Sequence, residues 1–167
     1  MKKQKVDIYN ILFCGTGGQG VLKASEVCGV AAMNSGYHVK KSEVHGMAQR
    51  GGSVESHLRF GKSVHSPLIM PGCADFLVSF HGGESRRMFP FLKKDGIDLS
   101  VLLDKTNIIP DQRFVNTLFL GALAAMLPIP LENWDKALET VVAKRMEENR
   151  AVFAKGLELG NALKNNV

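Results

Sequence analysis

Six residues, Gly15–Gly20 (GTGGQG), constrain the fold more than any other stretch of the chain. They follow an apolar run with high β propensity, at residues 6–14, and they precede a segment in which small and apolar residues recur at helical spacing up to about Asn34. The recurring residues are Ala24, Val27, Cys28 and Ala31. A strand, a tight glycine turn and a helix are therefore predicted in that order, which is a Rossmann-like start of an α/β fold.

The next segment predicts that this pattern continues into a second strand. Ser35 and Gly36 end the helix, since glycine tolerates the left-handed conformation that follows a helix C-terminus. Residues 37–44 (YHVKKSEV) then form an extended segment. We therefore expect a βαβ unit with a right-handed crossover.

The rest of the chain predicts further strands and then helices. Strands are expected at residues 53–60, 74–80 and 97–103. The strand at 53–60 alternates in polarity, so we expect it to be half exposed. A helix is expected over residues 84–92, closed by Gly96, before the last strand. Helical apolar spacing covers residues 114–127, 131–142 and 147 onward. The predicted fold class is α/β, a single three-layer domain (1–167) with a mostly parallel sheet flanked by helices and a helical C-terminal third.

The composition argues against several classes of function. The net charge of +5 is scattered rather than clustered on one element with aromatic residues, so we expect no nucleic-acid binding. Cys14, Cys28 and Cys73 are too far apart for a disulfide framework, a zinc site or an iron–sulfur cluster held by this chain alone. The N-terminal segment is a poor signal peptide, so a cytoplasmic location is expected.

Two apolar or glycine-containing stretches are more consistent with packing than with a membrane. Residues 114–127 span fourteen positions, fewer than the ~20 that cross a bilayer, so they are expected to form a buried helix. Gly156 and Gly160 lie one helical turn apart among polar residues. That setting favours close helix packing, or simple tolerance of glycine, over a membrane motif.

The first glycine loop fits the dinucleotide fingerprint G-x-G-x-x-G letter for letter. Free backbone N–H groups at a helix N-terminus favour a phosphate or another anion. Glu43 stands near the end of the second strand, where the fingerprint requires an acid that binds the ribose. A tight turn needs glycine for conformational reasons alone, however, and Glu43 runs directly into a second glycine-rich segment. Binding of NAD or FAD therefore stays open as an alternative.

The second glycine-rich segment, His45–Ser53 (HGMAQRGGS), is another candidate site. Arg50 stands beside two glycines, so its guanidinium can approach a phosphate or carboxylate while the backbone also donates. Both loops adjoin strands, and we expect them at the same sheet edge, where open α/β folds bind ligands. The candidate binding residues are Gly15, Gly17, Gly18, Gln19, Gly20, Glu43, His45, Gly46, Gln49, Arg50, Gly51, Gly52 and Ser53.

The sequence predicts no catalytic residue and no metal site. Glu43 and His45 are two positions apart on an extended segment and share a face, but the spacing identifies no third ligand. The sequence has no nucleophile elbow, no Ser–His–Asp arrangement and no lysine-containing phosphate loop. A complete catalytic apparatus is therefore not identified in this chain.

Several segments, taken in order, resemble the gamma-type subunit or domain of 2-oxoacid:ferredoxin oxidoreductases. They are GTGGQGVLKAS (15–25), SEVHGMAQRGGSVESHLRFG (42–61), SPLI (66–69) and the spaced pattern that ends in EENRAVFAKG (134–156). Within that family, SEVHGMAQRGGSV is most similar to the beta subunit of indolepyruvate ferredoxin oxidoreductase. The resemblance therefore makes indolepyruvate the first expected substrate.

The resemblance implies an enzyme that oxidatively decarboxylates a 2-oxoacid, passes electrons to ferredoxin and releases an acyl-coenzyme A. This chain would be an accessory subunit, inactive alone and binding no cofactor by itself. Large partner subunits would hold the thiamine diphosphate, Mg and iron–sulfur clusters. The complex would also use coenzyme A, and ferredoxin would be an indirect partner. Homodimerisation of the isolated chain stays open. So does a third alternative, a non-catalytic interaction domain.

Overall fold

The structure, a computed structural model, describes residues 8–48 and 50–166. Within them, one five-stranded sheet is accompanied by five α-helices. The strands are β1 (Ile8–Thr16), β2 (His38–His45), β3 (Ser53–Gly61), β4 (Ala74–Ser79) and β5 (Leu92–Asp98). The helices are α1 (Val21–Asn34), α2 (Gly82–Met88), α3 (Val115–Ala124), α4 (Leu131–Val141) and α5 (Met146–Asn165). Short 3-10 helices cover Phe89–Phe91, Leu99–Ile108 and Gln112–Phe114.

The sheet is mixed, with the strand order β2-β3-β1-β4-β5. The pairs β1–β4 and β4–β5 are parallel, whereas β3 is antiparallel to both β1 and β2. The α/β class is thus confirmed, but the sheet is not mostly parallel. The expected βαβ unit is present, because β1 and β2 are both antiparallel to β3 and are therefore parallel to each other, but β3 lies between them. A short loop, residues 46–52, joins β2 to β3, and a short loop can only join antiparallel neighbours.

The sheet is covered on both faces, so the three-layer prediction is confirmed. On one face, α1, α3, α4 and α5 enclose the larger core, which includes Phe13, Leu58 and the fully buried Trp134. On the other face, α2 and the segment after β3 cover a smaller core. Its members are Leu12, Cys14, Ile69, Ala74, Leu77 and Met88. The expectation of a half-exposed β3 is wrong, since β3 is internal and both of its faces are covered.

The last strand lies earlier in the chain than predicted. β5 begins at Leu92, directly after a 3-10 turn that contains Pro90, and Gly96 lies inside this strand rather than closing a helix. Residues 97–103, expected to be a strand, enter a 3-10 helix at Leu99. β5 is an edge strand with exposed Lys94 and Asp95, and charged edge strands lack the apolar pattern that reveals a strand in a sequence.

The helical C-terminal third is confirmed, and its glycines allow α3 and α5 to pack backbone against backbone. A Cβ on Gly156 would overlap the carbonyl oxygen of Leu118, and a Cβ on Gly160 would overlap that of Ala122. Gly121 of α3 faces the Phe153 carbonyl in the same way. The close helix packing expected around Gly156 and Gly160 is therefore confirmed. Among the described residues, no helix combines the length and the apolar character that crossing a membrane requires.

We predict that Gly156→Ala lowers the free energy of unfolding by about 1–3 kcal/mol, because the added methyl group forces α3 and α5 apart. Urea unfolding followed by circular dichroism measures this change. The control is Asn161→Ala at an exposed position of α5, which raises helix propensity without touching α3. A Gly156→Ala protein as stable as this control would contradict the packing account.

Candidate functional site

The two glycine-rich loops meet at the carboxyl end of β1. In the β1–β3 ladder, Gly15 pairs with Val54 and Thr16 with Ser53, so the loops leave the sheet side by side. The Gly17 N–H donates to the Gly52 carbonyl at 2.9 Å. The sequence placed both loops at one sheet edge, and the structure joins them by a direct hydrogen bond.

The first loop is fixed by the Gln19 side chain and by glycine at position 20. The Gln19 Oε1 accepts from the Thr16 N–H at 2.8 Å, and its Nε2 donates to the Phe80 carbonyl at 2.9 Å, which ties the loop to the end of β4. Gly20 has a φ of 77°, and a Cβ there would lie 2.6 Å from the Asn116 Nδ2. Position 20 therefore favours glycine through its left-handed backbone conformation, and a side chain there would also displace the Asn116 amide.

The second loop closes the β2–β3 hairpin. The Gly46 N–H donates to the Ser53 carbonyl at 2.7 Å, and Gly51 has a φ of 66°. A Cβ on Gly52 would lie 3.0 Å from the Ala48 Cβ, so the loop is tightly folded on itself. Arg50 is exposed, and no residue in the described ranges forms an ion pair with it. Gln49, the remaining candidate of this loop, lies outside the described residues.

Glu43 and His45 lie apart from the first loop. Both are on the edge strand β2, where the Glu43 Oε1 lies 2.8 Å from the Lys41 Nζ, and the His45 Nε2 lies 3.9 Å from the Glu43 Oε2. The two side chains share a face, as expected. Because β3 separates β2 from β1, Glu43 lies level with Phe13 and two strand spacings, roughly 10 Å, from β1. In a dinucleotide-binding fold the ribose-binding acid follows the strand next to β1.

A polar network lies beneath the second loop, and the sequence did not predict it. The Ser53 hydroxyl donates to the Glu84 Oε1 at 2.8 Å, and the Arg87 guanidinium donates to the Glu84 Oε2 at 2.8 Å and to the Glu55 Oε2 at 3.1 Å. The Glu55 Oε1 in turn lies 3.4 Å from the His57 Nε2. Because β4 lies parallel to β1, α2 begins at the same sheet edge as the loops. Nothing in the local sequence pattern around Glu84 reveals this placement.

The network sets the ionisation of its central carboxylate. Burial acts to raise the pKa of Glu84, but hydrogen bonds from Arg87 and Ser53 outweigh it, and the pKa is lower than usual. Glu84 is therefore a carboxylate at neutral pH that holds Ser53, the last residue of the second loop. Nearby, burial raises the pKa of the Cys14 thiol to about 11, so Cys14 is not a nucleophile.

A cavity of about 520 Å³ opens beside the first loop. It lies outside the carboxyl ends of β1 and β4, whose following helices pack on opposite faces of the sheet, and open α/β folds bind ligands at such a point. Its lining includes the three residues Gly18–Gly20 together with Lys23, Arg113 and Asn116, none of the last three being a sequence candidate. In the described part of the chain, no cluster of His, Cys, Asp and Glu suits a metal ion.

We predict that Glu84→Gln lowers the free energy of unfolding at pH 7 by about 1–3 kcal/mol, because Arg87 and Ser53 lose a charged acceptor. The folded-state pKa of Glu84 lies below its ordinary value of 4.5, so the stabilisation is present above that value and is lost as the pH falls through the folded pKa. The stability difference between wild type and variant should therefore shrink as the pH falls below 4.5.

Urea unfolding of both proteins across this pH range measures the difference. Glu26→Gln, at an exposed position of α1, is the control for removal of a surface carboxylate. A wild-type-to-variant difference that stays constant with pH would show that the Glu84 charge contributes nothing.

Comparisons with known proteins show the family to which the chain belongs. A family model described as pyruvate ferredoxin/flavodoxin oxidoreductase matches two overlapping stretches, residues 10–110 and 96–159. The indolepyruvate oxidoreductase subunit IorB of Thermococcus kodakarensis is 46% identical over 89 residues, which are 53% of this chain and 44% of IorB. The chain thus spans less than half the length of that relative. The 2-oxoglutarate synthase subunit KorC of Archaeoglobus fulgidus is 30% identical over 174 aligned residues, 90% of this chain and 87% of KorC.

Solved structures share the fold. The gamma subunit of a keto/oxoacid ferredoxin oxidoreductase from Geobacter sulfurreducens superposes with a TM-score of 0.75 at 23% identity, covering 92% of this chain and 99% of that subunit. A 2-oxoglutarate:ferredoxin oxidoreductase from Magnetococcus marinus, solved with 2-oxoglutarate, coenzyme A and succinyl-CoA bound, gives 0.76 at 16% identity, covering 95% of this chain and 32% of that one. Because the family model matches most of the chain and KorC aligns with it almost completely, the chain belongs to the pyruvate ferredoxin/flavodoxin oxidoreductase family.

Proposed function

We propose that this chain is the gamma-type accessory subunit of a 2-oxoacid:ferredoxin oxidoreductase, with indolepyruvate as its first expected substrate. The observation that carries the proposal is the direct contact between GTGGQG and HGMAQRGGS at one sheet edge, in a chain of this family. The enzyme would oxidatively decarboxylate the 2-oxoacid, transfer the acyl group to coenzyme A and pass the electrons to ferredoxin.

The choice of indolepyruvate rests on the resemblance of SEVHGMAQRGGSV to the indolepyruvate enzyme and on the identity to the relatives. The relative named as an indolepyruvate oxidoreductase subunit is 46% identical in its matched part, compared with 30% for the 2-oxoglutarate synthase subunit. The second relative aligns over most of the chain, so it supports the gamma-type role as a whole. The first relative supports the aryl-substituted substrate.

The chemistry of the side chains supports an accessory role. Cys28 lies in the larger core, Cys14 lies in the smaller core on the other face of the sheet, and Cys73 is exposed, so the three thiols do not converge on one cluster site. Thiamine diphosphate and the iron–sulfur clusters would therefore be held by partner subunits. At the edge where the loops meet, Val44 is 47% exposed and Met47 is fully exposed, which supports a partner that covers this edge.

Within such a complex, the two loops would supply hydrogen-bond donors for an anion. The backbone N–H groups of the first loop lie at the N-terminus of α1, where the helix dipole favours negative charge. The exposed Arg50, two residues before Gly52 in the second loop, adds a guanidinium. A phosphate of coenzyme A or the carboxylate of the 2-oxoacid fits this set of donors.

The two alternatives make different predictions. A freestanding NAD- or FAD-binding protein should retain its cofactor when purified alone, and the separation of Glu43 from β1 by β3 disfavours it. An interaction domain should bind the partner without affecting turnover. The proposed subunit should instead co-purify from native extract with a large, brown, thiamine-dependent partner, and the complex should reduce a low-potential dye with indolepyruvate and coenzyme A. Absence of such a partner would contradict the proposal.

We predict that Arg50→Ala in the reconstituted complex raises the Michaelis constant for coenzyme A or for the 2-oxoacid about tenfold or more, because a charge-assisted contact is lost. Steady-state assays of the complex measure both constants. Lys94→Ala, an exposed cation on β5, is the control and should leave both unchanged. If Arg50→Ala also leaves both constants unchanged, the proposed role of Arg50 is wrong.

A further inference from the structure

The strand β2 forms an open outer edge of the sheet. Within residues 8–48 and 50–166, it pairs only with β3, in a ladder that runs from His38–Gly61 to His45–Val54. Its outer side therefore carries a row of backbone N–H and C=O groups that another strand can pair with. Six of its eight residues are exposed and the other two are only partly buried, so no described element covers the strand.

The opposite edge strand, β5, is protected from such pairing. Its register on β4 shifts between Ala74 and Phe76, and Lys94 and Asp95 are exposed along it. Irregular, charged edges resist pairing with another strand. The β2–β3 ladder has no such shift along its length. One edge of the sheet is thus irregular, whereas the other is regular and open.

A second copy of β2 can pair with this edge in only a few registers. When two copies of one edge strand pair antiparallel about a two-fold axis, directly opposite residues must share a face of the joined sheet. Each register is therefore centred on one residue, which stands opposite its own copy. Two registers pair seven of the eight residues of β2: one is centred on Lys41 (residues 38–44) and the other on Ser42 (residues 39–45).

The charges of β2 select the register centred on Ser42. Lysines on an edge strand usually discourage pairing, and the register centred on Lys41 would set two Lys41 side chains directly opposite each other. In the register centred on Ser42, each Lys41 stands opposite Glu43 of the other copy. These two side chains share a face, and within one chain they already pair at 2.8 Å. Across the two-fold axis, four charges would then alternate in sign.

The other positions of this register are also compatible. On the face of Lys41, Val39 stands opposite His45, and on the other face Lys40 stands opposite Val44. The aliphatic stem of Lys40 can cover Val44, which is 47% exposed in the single chain. Ser42 stands opposite its own copy, where the two hydroxyl groups can share a hydrogen bond.

We propose that β2 pairs antiparallel with β2 of a second copy of this chain, centred on Ser42, so that two five-stranded sheets join into one. Backbone hydrogen bonds along residues 39–45 supply the affinity, and the pairs of Lys41 with Glu43 fix the register. Residues 46–52 lie outside the paired segment, so the second glycine-rich loop stays free for a large partner subunit. The pairing goes beyond the subunit role and does not depend on it.

The test uses the whole isolated chain. Sedimentation equilibrium at concentrations up to about 100 μM should give twice the 18.2 kDa mass of the chain. Lys41→Glu and Glu43→Lys each set like charges opposite one another, so each should weaken the dimer about tenfold or more. The matched control is Lys94→Glu, the same charge reversal on the exposed side of β5, which should leave the dimer unchanged.

Two further samples separate lost pairing from lost folding. The protein that carries both Lys41→Glu and Glu43→Lys keeps opposite charges across the axis, so it should dimerise as the wild type does. An equimolar mixture of the two single variants should form a heterodimer, because every facing pair at positions 41 and 43 then has opposite signs.

Disulfide cross-linking tests the register. Ser42→Cys, in a Cys73→Ser background, should form a dimer under mild oxidation, because directly opposite residues are about 5 Å apart. Lys41→Cys in the same background should not, because the two copies of position 41 are offset by two residues, roughly 8 Å apart. Cys14 and Cys28 are buried, so they do not compete.

Three results would overturn the proposal. One is a chain that stays monomeric over the whole concentration range; protection of the β2 amides only in the native complex would then assign this edge to a strand of another subunit. The others are a dimer that both single charge reversals leave intact, and a cross-link that forms at position 41 rather than at 42. Each result leaves the subunit role untouched, whereas failure to find a thiamine-dependent partner leaves this pairing untouched.

Discussion

The antiparallel ladder between β1 and β3 is the constraint on which the rest of the structure depends. It inserts β3 next to β1, and it ends in the hydrogen bond from the Gly17 N–H to the Gly52 carbonyl. The two glycine-rich loops are therefore a single surface rather than two separate turns. The same insertion makes β2 the outer strand of the sheet, so Glu43 no longer lies on the strand next to β1, where a dinucleotide-binding fold places its ribose-binding acid.

The opposite neighbour of β1 has an equally specific consequence. Because β4 is parallel to β1, the Glu84 carboxylate at the start of α2 reaches Ser53 and joins the second loop to Arg87. The helices that follow β1 and β4 pack on opposite faces of the sheet, and the cavity opens between the first loop and the start of α3. The carboxyl ends of β1 and β4 thus present the joined loops, the buried Glu84 carboxylate that holds the second loop, and the cavity beside the first loop.

The sequence was sufficient for features that depend on local pattern. The glycine turn into α1, the buried helix α3 and the close approach at Gly156 follow from spacing and residue size alone. Strand order does not follow from local pattern, so the insertion of β3 and the burial of His57 were missed. β5 was missed because its exposed edge carries Lys94 and Asp95. The Glu84 network and the cavity beside the first loop join residues far apart in sequence, and only the fold brings them together.

The central claim is that the joined loops form a functional edge that a partner subunit covers. Hydrogen–deuterium exchange of the chain alone and in its native complex tests this claim most directly, because it reports on individual backbone N–H groups. The account predicts that assembly slows exchange at residues 17–20 and 50–53. Slowing confined to α4 and α5, with the two loops unchanged, would contradict it.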